Sequence, residues 1–263
     1  FMFDWGIRGA AIATVSAQVI ALLWQLKQFN NANELLHFRR GIFRLKRKIV
    51  FDSLAIGMSP FLMNLAACLI VILINQGLKK YGGDLAIGAF GIVNRLVFIV
   101  VMIVMGLNQG MQPIAGYNFG AKLYDRVNKV LKLTIIYATC VTTFGFLVGM
   151  LAPNLVVGIF TSDAELTELS ATGLRITVMF FPIIGFQMVT SNFFQSIGMA
   201  GKAIFLSLTR QMLILLPCLL ILPPFFGVAG VWYSMPVSDL LASLIALVML
   251  VYQFRKFKTA AAH

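Results

Sequence analysis

The chain has 263 residues, 60% of them hydrophobic and only 11% charged, with a mean hydropathy of +0.91. A soluble domain carries roughly 25% charged residues, so the composition excludes an ordinary soluble enzyme and points to an integral membrane protein. The formal charge of +12 sits in short loops between apolar runs, where orientation signals belong rather than a nucleic-acid footprint.

A spanning helix needs about 20 apolar residues, because a rise of ~1.5 Å per residue must cross a core ~30 Å thick. Seven runs meet that length, at about 5–26, 52–76, 85–107, 131–151, 169–193, 203–222 and 227–252. The alternation of a membrane β-barrel is missing from all of them. Open strands leave backbone groups unpaired in lipid, so the expected fold is all-α. A basic loop, 27–48, follows the first run. Gly82-Gly83-Asp84 turns the second into the third. The third leads into Gly106–Lys122, rich in glycine and amides, which reads as a helix end shaped by its glycines and Pro113. Pro153 stops the fourth run, a polar loop 161–168 precedes the fifth, and Pro223-Pro224 closes the sixth. Pro60, Pro113, Pro182, Pro217 and Pro236 are kink candidates. The chain opens Phe1-Met-Phe3 without the basic start and cleavage site of a signal peptide. An outside start with seven spans fits a fragment of a longer protein, and 259–263 reads as an added tail.

Lys and Arg set the orientation. One side holds seven in the 27–48 loop, three at Lys122, Arg126 and Lys129, then Lys202, and three at Arg255, Lys256 and Lys258. The other side holds Lys79 and Lys80. The first side is therefore cytoplasmic. That places Trp5, Trp232 and Tyr233 near the outer interface and Trp24 near the inner one. In the 27–48 loop, Phe38, Ile42, Phe43 and Leu45 with Arg39, Arg40 and Arg44 suggest an interfacial amphipathic helix. An internal repeat is also visible. Gly6-Ile-Arg-Gly9 opens the first span and Gly227-Val-Ala-Gly230 the seventh, 221 residues later and in the same orientation. Such glycines serve generic helix packing or mark the parallel repeats of a transporter.

Several segments carry a family resemblance. They are Gly57-Met-Ser-Pro60-Phe61, Tyr81-Gly-Gly-Asp84 with Ala86-Ile-Gly-Ala-Phe90, and Asn192-Phe-Phe-Gln195-Ser-Ile-Gly198 with Lys202. Two more are Gly227-Val-Ala-Gly230-Val-Trp232 with Asp239 and, most specific, Asn108-Gln-Gly110-Met-Gln-Pro113-Ile-Ala-Gly116-Tyr-Asn118-Phe-Gly120-Ala-Lys122 with Arg126-Val127. Together they resemble the multidrug and toxic compound extrusion (MATE) family over nearly the whole chain. The resemblance implies a two-lobed, 12-helix, inverted-V transporter of the bacterial inner (plasma) membrane. Residues 1–26 would be the last helix of the N-terminal lobe, 27–51 a cytoplasmic linker between lobes, and 52–258 the six-helix C-terminal lobe. It further implies secondary active efflux of cationic, amphipathic compounds in exchange for H⁺ or Na⁺, in a protein that is monomeric at full length and uses no cofactor.

A charge inside a span is expensive and is a functional candidate by default. Asp239 lies 12 residues into the seventh run, about 18 Å down and near mid-membrane. It is the one acid well inside a span, suited to exchanging a proton or binding Na⁺ or a drug cation; a structural hydrogen bond is the alternative. Arg95, near the middle of the third run, is a candidate ion-pair partner for it. Asn64 and Asn94 fall at similar depth. Gln187, Ser191 and Gln195 follow at i, i+4 and i+8, hence one stripe. These residues are candidates for a substrate cavity, with Met and Phe giving adaptable apolar contact, or for bonds between helices. No metal-ligand spacing, nucleophile–base pair or phosphate loop is visible in the sequence, and an enzyme is not expected. Two other readings stay open. A lipid-linked oligosaccharide flippase of the same superfamily predicts a more cationic cavity. A non-transporting assembly subunit predicts that Asp239, Asn64 and Gln187 are dispensable.

Overall fold

The computed structural model describes residues 6–31 and 46–261, except for the side chains at 6, 7, 10, 52, 53, 55–60, 63, 200 and 254–261. The amphipathic helix expected around Phe38–Leu45, most of the 27–51 linker, Trp5, and the side chains of Asp52 and Pro60 lie outside the described residues. Every regular element among the described residues is a helix. The chain divides into two compact units, Phe1–Gly57 and Met58–His263.

The first unit contains α1 (Gly6–Phe29) and the start of α2 (Arg47–Gly120). Along α1 the apolar side chains Ile12, Val15, Val19, Ile20, Leu22, Leu23 and Trp24 are exposed, but α1 is not among the helices long and apolar enough to cross a membrane, so the first expected span is not borne out.

In the second unit α2 is a hairpin. Its apolar part, Asn64–Gly120, is 57 residues long; as a straight rod it would measure ~86 Å, far more than a bilayer core. Gly83 breaks it at φ 66, ψ −162, a backbone region that is essentially glycine's alone. Ile70, Ile74 and Leu78 of the first arm then pack in one cluster with Ala86 of the second, beside Phe90, which is antiparallel register.

The second arm runs to Gly120 without a break, correcting the expectation of a helix end near Leu107. The reason is a buried stripe: Val104, Asn108, Met111, Ala115 and Asn118 are all buried, at the spacing of one helix face. Asn118 also donates to the Ile114 carbonyl at 2.8 Å. Pro113 removes one backbone bond, and the packed face holds the helix through it. The turn comes after Gly120, with Lys122 at φ 59.

Next come α3 (Tyr124–Leu151) and the short α4 (Pro153–Val157), split at Pro153 as expected. Helix α5 (Ala164–Val178) starts inside the expected polar loop. Asp163 caps it by accepting from the Leu166 amide at 3.0 Å, and Thr161 Oγ1 accepts from the Asp163 amide. Acidic residues favour such a first turn. A bend of 55° separates α5 from α6 (Phe181–Ser196), with Pro182 in the first turn of α6. The next span, Gly201–Phe226, joins α7 (Ala200–Leu208), a π-helical turn (Thr209–Leu215) and α8 (Leu216–Phe226). The last helix is α9 (Val228–Ala261).

Four helices are long and apolar enough to cross a membrane, or five with the bent α5–α6 pair. Because one of them is the α2 hairpin, the second unit provides six crossings among the described residues. The chain is a multi-pass, all-helical membrane protein. Apolar side chains such as Phe98, Met102, Phe144, Leu151, Leu220 and Val248 are exposed on its outer faces, where lipid replaces water.

Three apolar clusters form the core of the second unit. One joins α3, α6, α7 and α9 to the second arm of α2 around Leu131, Phe193 and Leu206. Another joins the start of that arm to α4, α5 and α6 around Val93, Leu174 and Trp232. The third joins the first arm to the π-turn, α8 and α9. Trp232 is a correction to the expected aromatic belt. It is 2% exposed, its ring 5.9 Å from Phe90, because Gly173 leaves room for the indole on α5. Tyr233, its neighbour, does face outward at 42%.

Candidate functional site

The α2 hairpin, α5, α6, the π-turn and α9 line an open cavity of about 270 Å³. Its walls are apolar: Ile70, Ile74, Phe90, Phe181, Met188 and Met235 are among them. Its polar groups are few and grouped. Arg210 and Gln211 come from the π-turn, Ser238 and Asp239 from α9, Asn94 from the second arm of α2 and Thr177 from α5.

Asp239 and Arg210 form an ion pair across the cavity wall. Arg210 Nε donates to Asp239 Oδ1 at 2.7 Å. The aspartate side chain is 5% exposed and the arginine 34%, so the guanidinium presents most of the pair's surface. The two residues meet because both lie in mid-span. Asp239 is 11 steps from the start of Val228–Gln253 and Arg210 nine from the start of Gly201–Phe226, at ~1.5 Å per step.

Local backbone chemistry positions the pair. The π-helix is rare, usually a single turn, and is frequent at functional sites; here it carries Arg210 and Gln211, both on the cavity. On α9, Ser234, Ser238 and Ser243 satisfy backbone carbonyls of their own helix, at Gly230, Met235 and Asp239. Such bonds keep small hydroxyls from competing for the carboxylate. Pro236 is tolerated in the same stretch.

The sequence candidates separate into two groups. Asp239 and Asn94 line the cavity. Arg95 neighbours Asn94 but is exposed, and the ion pair expected between Arg95 and Asp239 is made by Arg210 instead. Asn64 is exposed and is not in the cavity lining. Gln187 is buried at 4% exposure and Gln195 is exposed; neither lines the cavity. Ser191 Oγ lies 3.1 Å from Ser207 Oγ, a bond between α6 and α7. The cavity meets α6 along Phe181, Ile184 and Met188 instead, one residue round from the polar stripe.

Sequence reasoning missed Arg210, Gln211 and Ser238. For Arg210 the signal was present: it is a lone charge inside the apolar run 203–222. For Gln211 no signal distinguished cavity from core, since the π-turn decides its direction.

Residues 55–221 match the family model described as MatE. The chain is 27% identical over 259 residues to "Multidrug export protein MepA" of Staphylococcus aureus (strain MSSA476), covering 97% of this chain and 56% of that protein. It is 25% identical to the protein of the same name in Staphylococcus saprophyticus. The chain thus spans about half the length of the curated relatives it matches. Among solved structures, the MATE multidrug transporter DinF-BH in complex with R6G is 35% identical, with a TM-score of 0.82 over 98% of this chain and 58% of that one. An outward-facing multidrug resistance MATE family transporter of the MOP superfamily shares the fold, with a TM-score of 0.84 at 20% identity, over 98% of this chain and 58% of that one.

Proposed function

The chain belongs to the MatE family, and from that premise we propose that its protein is a secondary active multidrug exporter. It moves cationic or amphipathic compounds out of the cell in exchange for H⁺ or Na⁺. Residues 52–258 form the C-terminal lobe and 1–26 the last helix of the N-terminal lobe. The observation that carries this reading is the Asp239 carboxylate on an apolar, methionine- and phenylalanine-walled cavity in mid-span. A buried carboxylate in such a setting attracts a proton, a Na⁺ ion or an organic cation. Apolar walls supply the adaptable contact that a broad substrate range needs. The charged groups on the cavity are one arginine and one aspartate, a balanced pair rather than the more cationic cavity that a flippase predicts.

The experiment is ion movement driven by a lipophilic cation in inverted vesicles containing the full-length protein, with Na⁺ and pH gradients varied separately. We expect movement under one of the two gradients, and its loss in Asp239→Asn at equal protein level. No movement under either gradient overturns the antiporter reading. Intact coupling in Asp239→Asn removes this cavity from the mechanism.

A further inference from the structure

We propose that Arg210 is a resident stand-in for the transported cation: it occupies Asp239 between cycles, and the incoming cation binds by displacing it. The inference rests on the proposed cation site and adds to it the group that controls its occupancy.

Three observations support the displacement. First, the pair is held through Nε and one carboxylate oxygen, at 2.7 Å. Among the described residues Arg210 is the only hydrogen-bond partner of that carboxylate. A two-point fork of guanidinium on carboxylate is the stronger arrangement; a one-point contact is easier to exchange. Second, Arg210 is the more exposed member at 34% against 5%, so the arginine and not the carboxylate has room to move. Third, the residue stands in the π-turn Thr209–Leu215. Such a turn departs from regular i→i+4 bonding and is frequent at functional sites, so Arg210 does not stand on a regular, fully bonded helical turn.

Beside the pair, Gln211 Oε1 is buried without a hydrogen-bond partner. A buried amide oxygen left unpaired is costly, and it is a neutral acceptor for a cation that has taken Arg210's place. The cation is monovalent by this account, because it replaces one guanidinium charge. Its apolar part meets Phe90, Phe181, Met188 and Met235, so a lipophilic cation fits better than a bare polar one.

Displacement weakens apparent affinity by the fraction of protein whose carboxylate is free. A pair formed about nine-tenths of the time weakens cation binding about tenfold. The test is equilibrium binding of tetraphenylphosphonium to the full-length protein in detergent micelles. Arg210→Gln is expected to bind about tenfold more tightly than wild type and to export more slowly, since the stand-in that helps release the cation is gone. Arg210→Lys, which keeps a one-point cation, is expected to stay near wild type. The double variant Arg210→Gln with Asp239→Asn is expected to bind as weakly as Asp239→Asn alone. If Arg210→Gln weakens binding while Arg210→Lys restores it, the arginine is a structural clamp and the inference falls. The same holds if both variants bind like wild type. If Asp239→Asn binds as tightly as wild type, the cation site itself is wrong. If Arg210→Gln does not fold, Arg210→Lys decides: its shorter reach makes the pair weaker or equal, so binding weaker than wild type also overturns the inference.

Discussion

Ser191 shows how one hydroxyl in a span takes its role from its partner. It faces Ser207 on α7 at 3.1 Å and is 9% exposed, so it ties two helices together. Bonds of this kind inside membranes contribute about 0.6 kcal/mol on average, because the separated helices find other partners. Ser191→Ala is therefore expected to lower thermal stability by roughly that amount and to leave export unchanged at equal protein level. Thermal unfolding and transport measured on the same preparation check it. A loss of export at unchanged stability would return Ser191 to the substrate path. Asp239 behaves in the opposite way. Its carboxylate is held from a second helix by Arg210 while its neighbouring serines turn to their own backbone, so those hydroxyls do not share it.

Among the elements, the α2 hairpin has the clearest dependence on a single backbone conformation. Gly83, at φ 66 and ψ −162, has no atom within 4 Å of an added Cβ. Steric room is thus not the constraint; the backbone region is, at a cost of order 1–3 kcal/mol for any other residue. Gly83→Ala is expected to reduce thermal stability by that order. Gly91→Ala, in the helical part of the same arm and also without near neighbours, is expected to be neutral or stabilising by about 0.5–1 kcal/mol. Equal loss in both variants would mean that the turn conformation is not what Gly83 supplies. The bent α5–α6 pair and the π-turn follow the same logic: Pro182 and the extra residue at 209–215 interrupt regular hydrogen bonding, and each interruption borders the cavity.

For the whole molecule, the hairpin tip and the turn after Gly120 mark opposite sides of the membrane. The tip carries Lys79 and Lys80, the latter 5.2 Å from the Tyr81 ring. The other end carries Lys122, Arg126, Lys129 and Lys132. The second arm, 84–120, is ~55 Å long by helix rise, against ~30 Å of hydrocarbon, so its last turns stand in or beyond the interface on that side. In a cysteine-free background, Lys80→Cys is expected to react with a membrane-impermeant maleimide added outside intact cells. Lys122→Cys is expected to react only after permeabilisation. The reverse pattern would invert the orientation read from the Lys and Arg distribution.

The sequence by itself determined the membrane class, the all-helical fold, the turn at Gly83 and the family. Each is carried by local quantities: the length of an apolar run, a glycine at a turn, a string of specific residues. It also determined that Asp239 is an unusual residue, since a charge in lipid is costly wherever its partner is. Only the tertiary structure decided which partner that is. Arg95 and Arg210 are both lone arginines in apolar runs, and helix rotation alone sets one outward and the other on the carboxylate. Rotation also decided that Trp232 packs inside while Tyr233 faces outward, and that α6 presents Met188 rather than Gln187 to the cavity. Hydropathy fixes how deep a residue lies, but the direction it faces depends on close packing between helices distant in sequence.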